Sequence, residues 1–288
     1  MGHRGRLRLA GAAAGAWMLA FGQPAGAAEV SGTDTVPPGL VQIETDLTFL
    51  RDVSGEQPVR DFLTSFSLRL GLAKNLDVSI DGDLLVEERS DGQGTSGLGD
   101  ATLTGTWRLL EDQGWRPALG LVPFVKIPTA SQSKGLGSGR VDFGGIVAVG
   151  KDLPGALHLD VNLGLTAVGL PESPGGFFLQ RSAGMAVSWA LTDRIAPYGE
   201  IFYASRDDPT GVHSVGTDLG LIATLHRRVR LELSAGLKLA GANPDWTLFS
   251  GLTLLLGPLP REVSGAPAQH PPRPAREPER PGAPHPRR

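Results

Sequence analysis

Apolar and polar residues alternate one by one along most of this chain, in runs longer than a soluble strand uses. Val229-Arg230-Leu231-Glu232-Leu233-Ser234-Ala235-Gly236-Leu237-Lys238-Leu239 keeps the alternation for eleven residues. Leu157-His158-Leu159-Asp160-Val161-Asn162-Leu163 repeats it, as do Leu68 to Leu72 and Leu76 to Leu84. Successive side chains of a strand point to opposite faces, so this period makes a sheet with one apolar and one polar face. Helical spacing is nearly absent. The pattern predicts twelve strands, at about 40–51, 60–72, 76–87, 99–110, 117–128, 141–151, 156–168, 178–190, 195–204, 213–225, 229–240 and 246–256. Most are 10 to 13 residues long. Soluble strands usually run to about 5–6 residues. A tilted strand crossing a bilayer needs about 9–11.

The connections alternate in length as well. Short turns fall at Ala73-Lys74-Asn75, Trp115-Arg116, Asp152 to Gly155, Leu191 to Arg194 and His226-Arg227-Arg228. Longer polar loops occupy 52–59, 88–98, 129–140, 169–177 and 205–212, with a short one at 241–245. Long and short connections alternating along an even number of strands predict an all-β fold, a twelve-stranded antiparallel transmembrane β-barrel. The short turns then face the periplasm and the long loops face outside. Lipid requires every backbone group to be paired, which a closed sheet provides. A soluble barrel would also alternate, but its polar face would favour Lys, Glu and Thr. Here that face is interspersed with Gly71, Gly144, Gly164, Gly184, Gly216, Gly220 and Gly236. Glycine in a strand often marks close approach of other groups.

Aromatic residues are expected as two interfacial girdles. Trp107, Trp115 and Trp189 fall at the periplasmic ends, and Phe49, Phe62, Phe178, Tyr203 and Trp246 at the outer ends. Arg181 shares the lipid-facing phase of Leu179, Ala183 and Met185, at a height suited to anionic headgroups.

The ends differ from the body. Residues 1–28 read as a signal peptide: Arg4, Arg6 and Arg8, an uncharged run from Leu9 to Phe21, and Ala25-Gly26-Ala27 for cleavage. Residues 29–39 form a lead-in and 40–257 the barrel. Residues 258–288 hold 10 of the 23 prolines, 6 arginines and few apolar residues, a composition expected to stay disordered. The body keeps 18 basic and 27 acidic residues. That balance excludes a basic nucleic-acid binder. With no cysteine, a disulfide scaffold, a thiolate zinc site and a cysteine nucleophile are excluded. No cofactor, metal or catalytic residue is assigned.

By phase, the inward acids are Glu44, Asp46, Asp77, Asp81, Asp83, Glu87, Asp100, Asp142, Asp160, Glu200, Asp218 and Glu232. The inward bases are Arg69, Arg108, Lys126, Arg230 and Lys238, and His158 joins them. One role for these groups is structural pairing across strands. Another is a constriction that selects by charge, and an acid excess favours cations. Loop 129–140 is expected to fold inward over Lys126 and Asp142 and narrow the pore; a mobile surface loop is the alternative. Gly92-Gln93-Gly94-Thr95-Ser96-Gly97 fits G-x-G-x-x-G, but a strand follows it where a dinucleotide site needs a helix, so it reads as a flexible outer loop. His158, Asp160 and Asn162 share one face of one strand, about 7 Å apart, which suits a hydrogen-bonded network better than a catalytic triad.

Two stretches carry a family resemblance. One is Gly97-Leu98-Gly99-Asp100-Ala101-Thr102-Leu103-Thr104-Gly105-Thr106-Trp107-Arg108-Leu109. The other is Val122-Pro123-Phe124-Val125-Lys126-Ile127-Pro128-Thr129-Ala130, followed by the glycine-rich run Ser133 to Gly144 with its R-V-D-F-G close. Together they resemble the transporter-like outer-membrane family named for the MetA pathway of phenol degradation. The resemblance extends more weakly over about 36–256. It implies passage of aromatic or other hydrophobic small solutes, with outer-membrane lipid and the barrel-assembly machinery as partners. The alternatives are a plugged barrel with a structural, adhesive or sensing role, and a barrel enzyme acting on lipid.

Overall fold

The computed structural model describes residues 30–53, 59–90, 93–171, 173, 175–206 and 209–258. Residues 1–28, expected to be a signal peptide, and nearly all of the Pro/Arg-rich tail lie outside them. The strands are β1 (Val41–Asp52), β2 (Val59–Ala73), β3 (Leu76–Ser90), β4 (Gln93–Gly97), β5 (Ala101–Leu110), β6 (Ala118–Ile127), β7 (Asp142–Leu153), β8 (Leu157–Gly169), β9 (Phe177–Trp189), β10 (Ile195–Ala204), β11 (Ser214–His226), β12 (Val229–Gly241) and β13 (Trp246–Leu256). All pairings are antiparallel between neighbours, and β1 pairs with both β2 and β13, which closes the sheet. No helix among the described residues is long and apolar enough to cross a membrane; the strands do the crossing.

Thirteen strands make twelve wall positions. β4 pairs with the upper part of β3, Val86 to Ser90, and β5 with its lower part, Leu76 to Gly82. Leu98-Gly99-Asp100 is the break between them, tied to the wall by Gly99 N–H donating to the Asp83 carbonyl at 2.9 Å. Of the expected loop 88–98, residues 88–90 extend β3 and 93–97 form β4 against it, so the glycine-rich stretch from Gln93 on is a strand and not a flexible loop; Gly92 lies outside the described residues. A register shift between Thr64 and Ser65 on β2 leaves Leu84 as an extra residue on β3. Its effect is to exchange faces above that point. Val86, not Glu87, turns inward there, and the inward assignment of Glu87 is corrected on that ground.

Apart from further register shifts near strand ends, at Gly71–Ala73, Arg108–Leu110, Val215–Gly216 and Thr224–His226, the alternation holds elsewhere. Leu47, Leu70, Leu163, Leu219 and Leu237 are exposed on the outer face, while Asp46, Ser67, Asp77, Thr104 and Asp160 are buried on the inner one. This inverts a soluble protein's arrangement, as lipid demands. Phe49 and Trp246 pack 5.4 Å apart at the outer rim. Phe178 is corrected: it pairs with the buried Val168 on the inner face. Its neighbour Phe177 is the outward residue and meets Phe143 edge-on at 5.3 Å.

Candidate functional site

Residues 30–40, which precede β1, do not hang below the barrel; they enter it. Val30, Thr33, Val36 and Leu40 are buried. The segment is held by lumen side chains: Val36 N–H donates to Asp77 Oδ2 at 2.8 Å, and Arg108 pairs with Asp34 at 3.3 Å. Thr35 Oγ1 donates to the Lys74 carbonyl at 3.0 Å at the periplasmic turn. Inward glycines make the room. A Cβ on Gly71 would collide with the carbonyl oxygens of Val36 and Pro37, and one on Gly184 would come within 2.7 Å of Val30 Cγ2. So part of the glycine pattern on the polar face serves this segment.

The outer end is narrowed by loop 129–140. It contains a short 3₁₀ turn at Gln132–Lys134. Leu136 is 2 % exposed and packs against Leu50, Leu63 and Val86, on the inner faces of β1, β2 and β3. Lys126, at the base, pairs with Asp142 at 2.6 Å and Asp100 at 3.4 Å and donates to Ser138 Oγ at 3.2 Å. Asp100 accepts the Ala130 N–H at 2.9 Å, and Asp142 accepts the Gly169 N–H at 2.8 Å. Lys134 Nζ donates to the Ser96 carbonyl at 3.1 Å, tying the loop to β4. The loop therefore folds inward over Lys126 and Asp142.

A chamber of about 220 Å³ remains inside, lined in part by Glu44, Arg69, Asp160, Glu200, Arg230 and Glu232. Its walls also include Val36, Val122 and Ile222, so it offers both charge and apolar surface. The polar groups are cross-bonded. Arg69 pairs with Asp77 at 3.1 Å; Asp81 accepts from Ser67, Ser79 and Thr104; Ser65 donates to Asp83 at 2.6 Å. Gln42 donates to Glu44, and Tyr198 to Glu232, each at 2.6 Å. Glu200 and Asp218 face each other across β10 and β11, while Asp46 leans over Gly251. Near the outer end Lys238 bonds Asp245 at 2.5 Å. That bond and the Val53 N–H hold the Asp245 carboxyl below its ordinary value. His158 bridges Asp152 at 2.6 Å and Asp160 at 3.3 Å. Both ring nitrogens are thereby engaged by carboxylates, which leaves none to activate a serine. Among the described residues no cluster suited to a metal ion occurs.

Comparison with known proteins agrees with this architecture. The family model described as "Putative MetA-pathway of phenol degradation" matches residues 26–256. The chain belongs to this family. The barrel resembles the COG4313 outer membrane channel from Pseudomonas putida F1, with a TM-score of 0.65 at 15 % identity over 80 % of this chain and 100 % of that one. It also resembles the NanC porin, with a TM-score of 0.50 at 8 % identity over 76 % and 100 %. At these identities the likeness is one of fold, that of an outer-membrane β-barrel. No relative was found among curated proteins.

The stretches that carry the family resemblance converge in space. Gly97 ends β4 and Leu98 to Asp100 form the β4–β5 break, Lys126 and Ile127 end β6 with Pro128 and Thr129 just beyond it, and Asp142 begins β7. Thr129 Oγ1 accepts from the Ala101 N–H and donates to the Gly99 carbonyl, while Lys126 draws Asp100 and Asp142 together. In this family member the motifs thus build the latch of the outer loop. Sequence reasoning missed Leu136 and the lumenal role of Thr33, Asp34 and Val36. The inward glycines were the available signal, but a gap does not name what fills it.

Proposed function

We propose that this chain is a passive outer-membrane channel for small solutes carrying an aromatic or other apolar body, with a preference for cations over anions. The observation that supports this reading best is the chamber of about 220 Å³, which sets valine and isoleucine side chains beside carboxylates. An apolar wall with a few convergent polar groups suits a small amphiphile. The excess of acids in the lumen repels anions. No covalent step is assigned, and the folded barrel is expected to hydrolyse no phospholipid above the background of lipid alone.

The test is single-channel recording of the exported chain in a planar bilayer. Discrete small steps with cation preference are expected, with block by phenolic compounds. A correctly folded barrel that gives no steps would sink the channel reading. A second reading, a plugged barrel with a structural role, draws on one observation: the N-terminal segment and loop 129–140 both occupy the lumen. It predicts silence under the same recording.

A further inference from the structure

We infer that the lumen holds a binding site for a protonated primary amine, with the ammonium group between the carboxylates of Asp46 and Glu232. The inference rests on the channel reading above and names the class of solute. Strand register sets Asp46 opposite Gly251 and Gly251 opposite Glu232, so two carboxylates flank a residue with no side chain. Neighbouring strands lie about 4.8 Å apart, which brings both side chains within reach of one small cation. A Cβ on Gly251 would come within 2.6 Å of Asp46 Oδ1 and 2.9 Å of the Phe249 ring. The missing side chain is therefore what lets Asp46 lean toward Glu232, with the ring beside it.

Asp46 lacks the partner that its neighbours have. It is 4 % exposed, and among the described residues its Oδ2 takes no hydrogen bond. The donors nearby are engaged elsewhere. Ser65, its register partner on β2, donates to Asp83, and Ser67 donates to Asp81. Gln42 donates to Glu44 and Tyr198 to Glu232. The charged groups that act on Asp46 are acids, Glu44 and Glu232. Arg230 acts on those two, and Arg69, already bonded to Asp77, acts on Glu44. Acids this close cannot all stay ionised without a further counter-charge.

The surroundings fit an ammonium on an apolar body. A carboxylate gives N–H donors charge-assisted hydrogen bonds, and an aromatic ring attracts a cation. The chamber runs from Glu44 and Glu232 past Ile222 to Val122, which packs with Phe124 and Ile146 on the inner faces of β6 and β7. A short aryl or alkyl body reaches that apolar wall while its head stays with the acids. A bare metal ion fits less well, since no group among the described residues is suited to hold one.

The test titrates the folded full chain in detergent with 2-phenylethylammonium and with its neutral counterpart 2-phenylethanol, by calorimetry, in enough salt to screen long-range attraction. Wild type is expected to bind the ammonium saturably and about tenfold more tightly than the alcohol, the scale of lost charge-assisted bonds. Asp46→Asn is expected to bind the two alike. Asp193→Asn, which removes the same charge from an exposed periplasmic turn, is expected to bind like wild type. Equal ammonium affinity in wild type and Asp46→Asn, or an equal loss in Asp193→Asn, would overturn the assignment. Displacement of the amine by an equal concentration of potassium would overturn it too, since bare charge would then be the ligand. Should Asp46→Asn not fold, Gly251→Ala, which keeps every charge but pushes Asp46 aside, carries the same expectation. Bilayer recording separates this site from the channel reading. A silent barrel that binds the amine as expected keeps the site and retires the channel. A conducting barrel that prefers neither compound retires the site and keeps the channel.

Discussion

Lys126 stands between two carboxylates in a nearly dry place, with 4 % of its surface exposed. Removing one partner of a buried charge group costs about 3–5 kcal/mol, because the remaining charge is left uncompensated. Lys126→Met is therefore expected to lower the urea midpoint of the folded barrel in vesicles. Adding Asp142→Asn to it should restore part of the loss; no recovery would mean the ion pair is not the source. Gly71 presents the opposite case, a residue whose value lies in having no side chain. Gly71→Val keeps the strand, since valine favours that conformation. Its side chain nevertheless occupies the place of the Val36 and Pro37 carbonyls. The expected outcome is release of the N-terminal segment, read as a larger unit conductance and faster proteolysis at residues 30–40. Unchanged conductance in a folded variant would show that the segment does not limit flow.

At the level of elements, loop 129–140 behaves as part of the wall. Its single buried apolar side chain, Leu136, seats on three strands at once. A leucine cut to alanine in a packed site costs about 2–5 kcal/mol, here charged against the loop's attachment more than the barrel. Leu136→Ala is expected to raise the unit conductance with little change in barrel stability, and Leu136→Asp to raise it further. A folded Leu136→Asp barrel with wild-type conductance would show that the loop is not the outer constriction. Strand β3 shows how local irregularity moves chemistry. One extra residue, Leu84, turns Val86 inward to receive Leu136. Without that bulge Leu85 would stand opposite Leu63, and Glu87 would turn inward beside Asp61.

Across the whole molecule, the distribution of charge decides more than the total. The chain's net charge is only -3, yet Glu44, Glu200, Glu232 and Asp160 gather on one chamber with Arg69, Arg230 and His158. Low-dielectric walls focus the field of such a group along the axis. Under a salt gradient the reversal potential is expected to show cation preference. Glu44→Gln/Glu232→Gln should move it toward zero, and no movement would place selectivity elsewhere. A protein-filled lumen is also expected to keep the conductance of a twelve-stranded barrel small, because strand number sets diameter but the contents set the free path.

The alternation of Val229 to Leu239 was enough to read a lipid-facing strand, and twelve such runs were enough to read a closed barrel. That inference is local: side-chain direction in a strand depends on parity, and lipid fixes which parity is apolar. Inward placement of Asp46, Arg69, Lys126, Asp160 and Glu232 followed from the same rule. It failed at Glu87, where a bulge changes parity, and at Phe178, where Phe177 takes the lipid face instead. What fills the lumen obeys no such rule. Val36 meets Asp77, Asp34 meets Arg108 and Leu136 meets Leu50 across long sequence separations. Such contacts depend on which strands closure brings face to face, and only the folded barrel decides that.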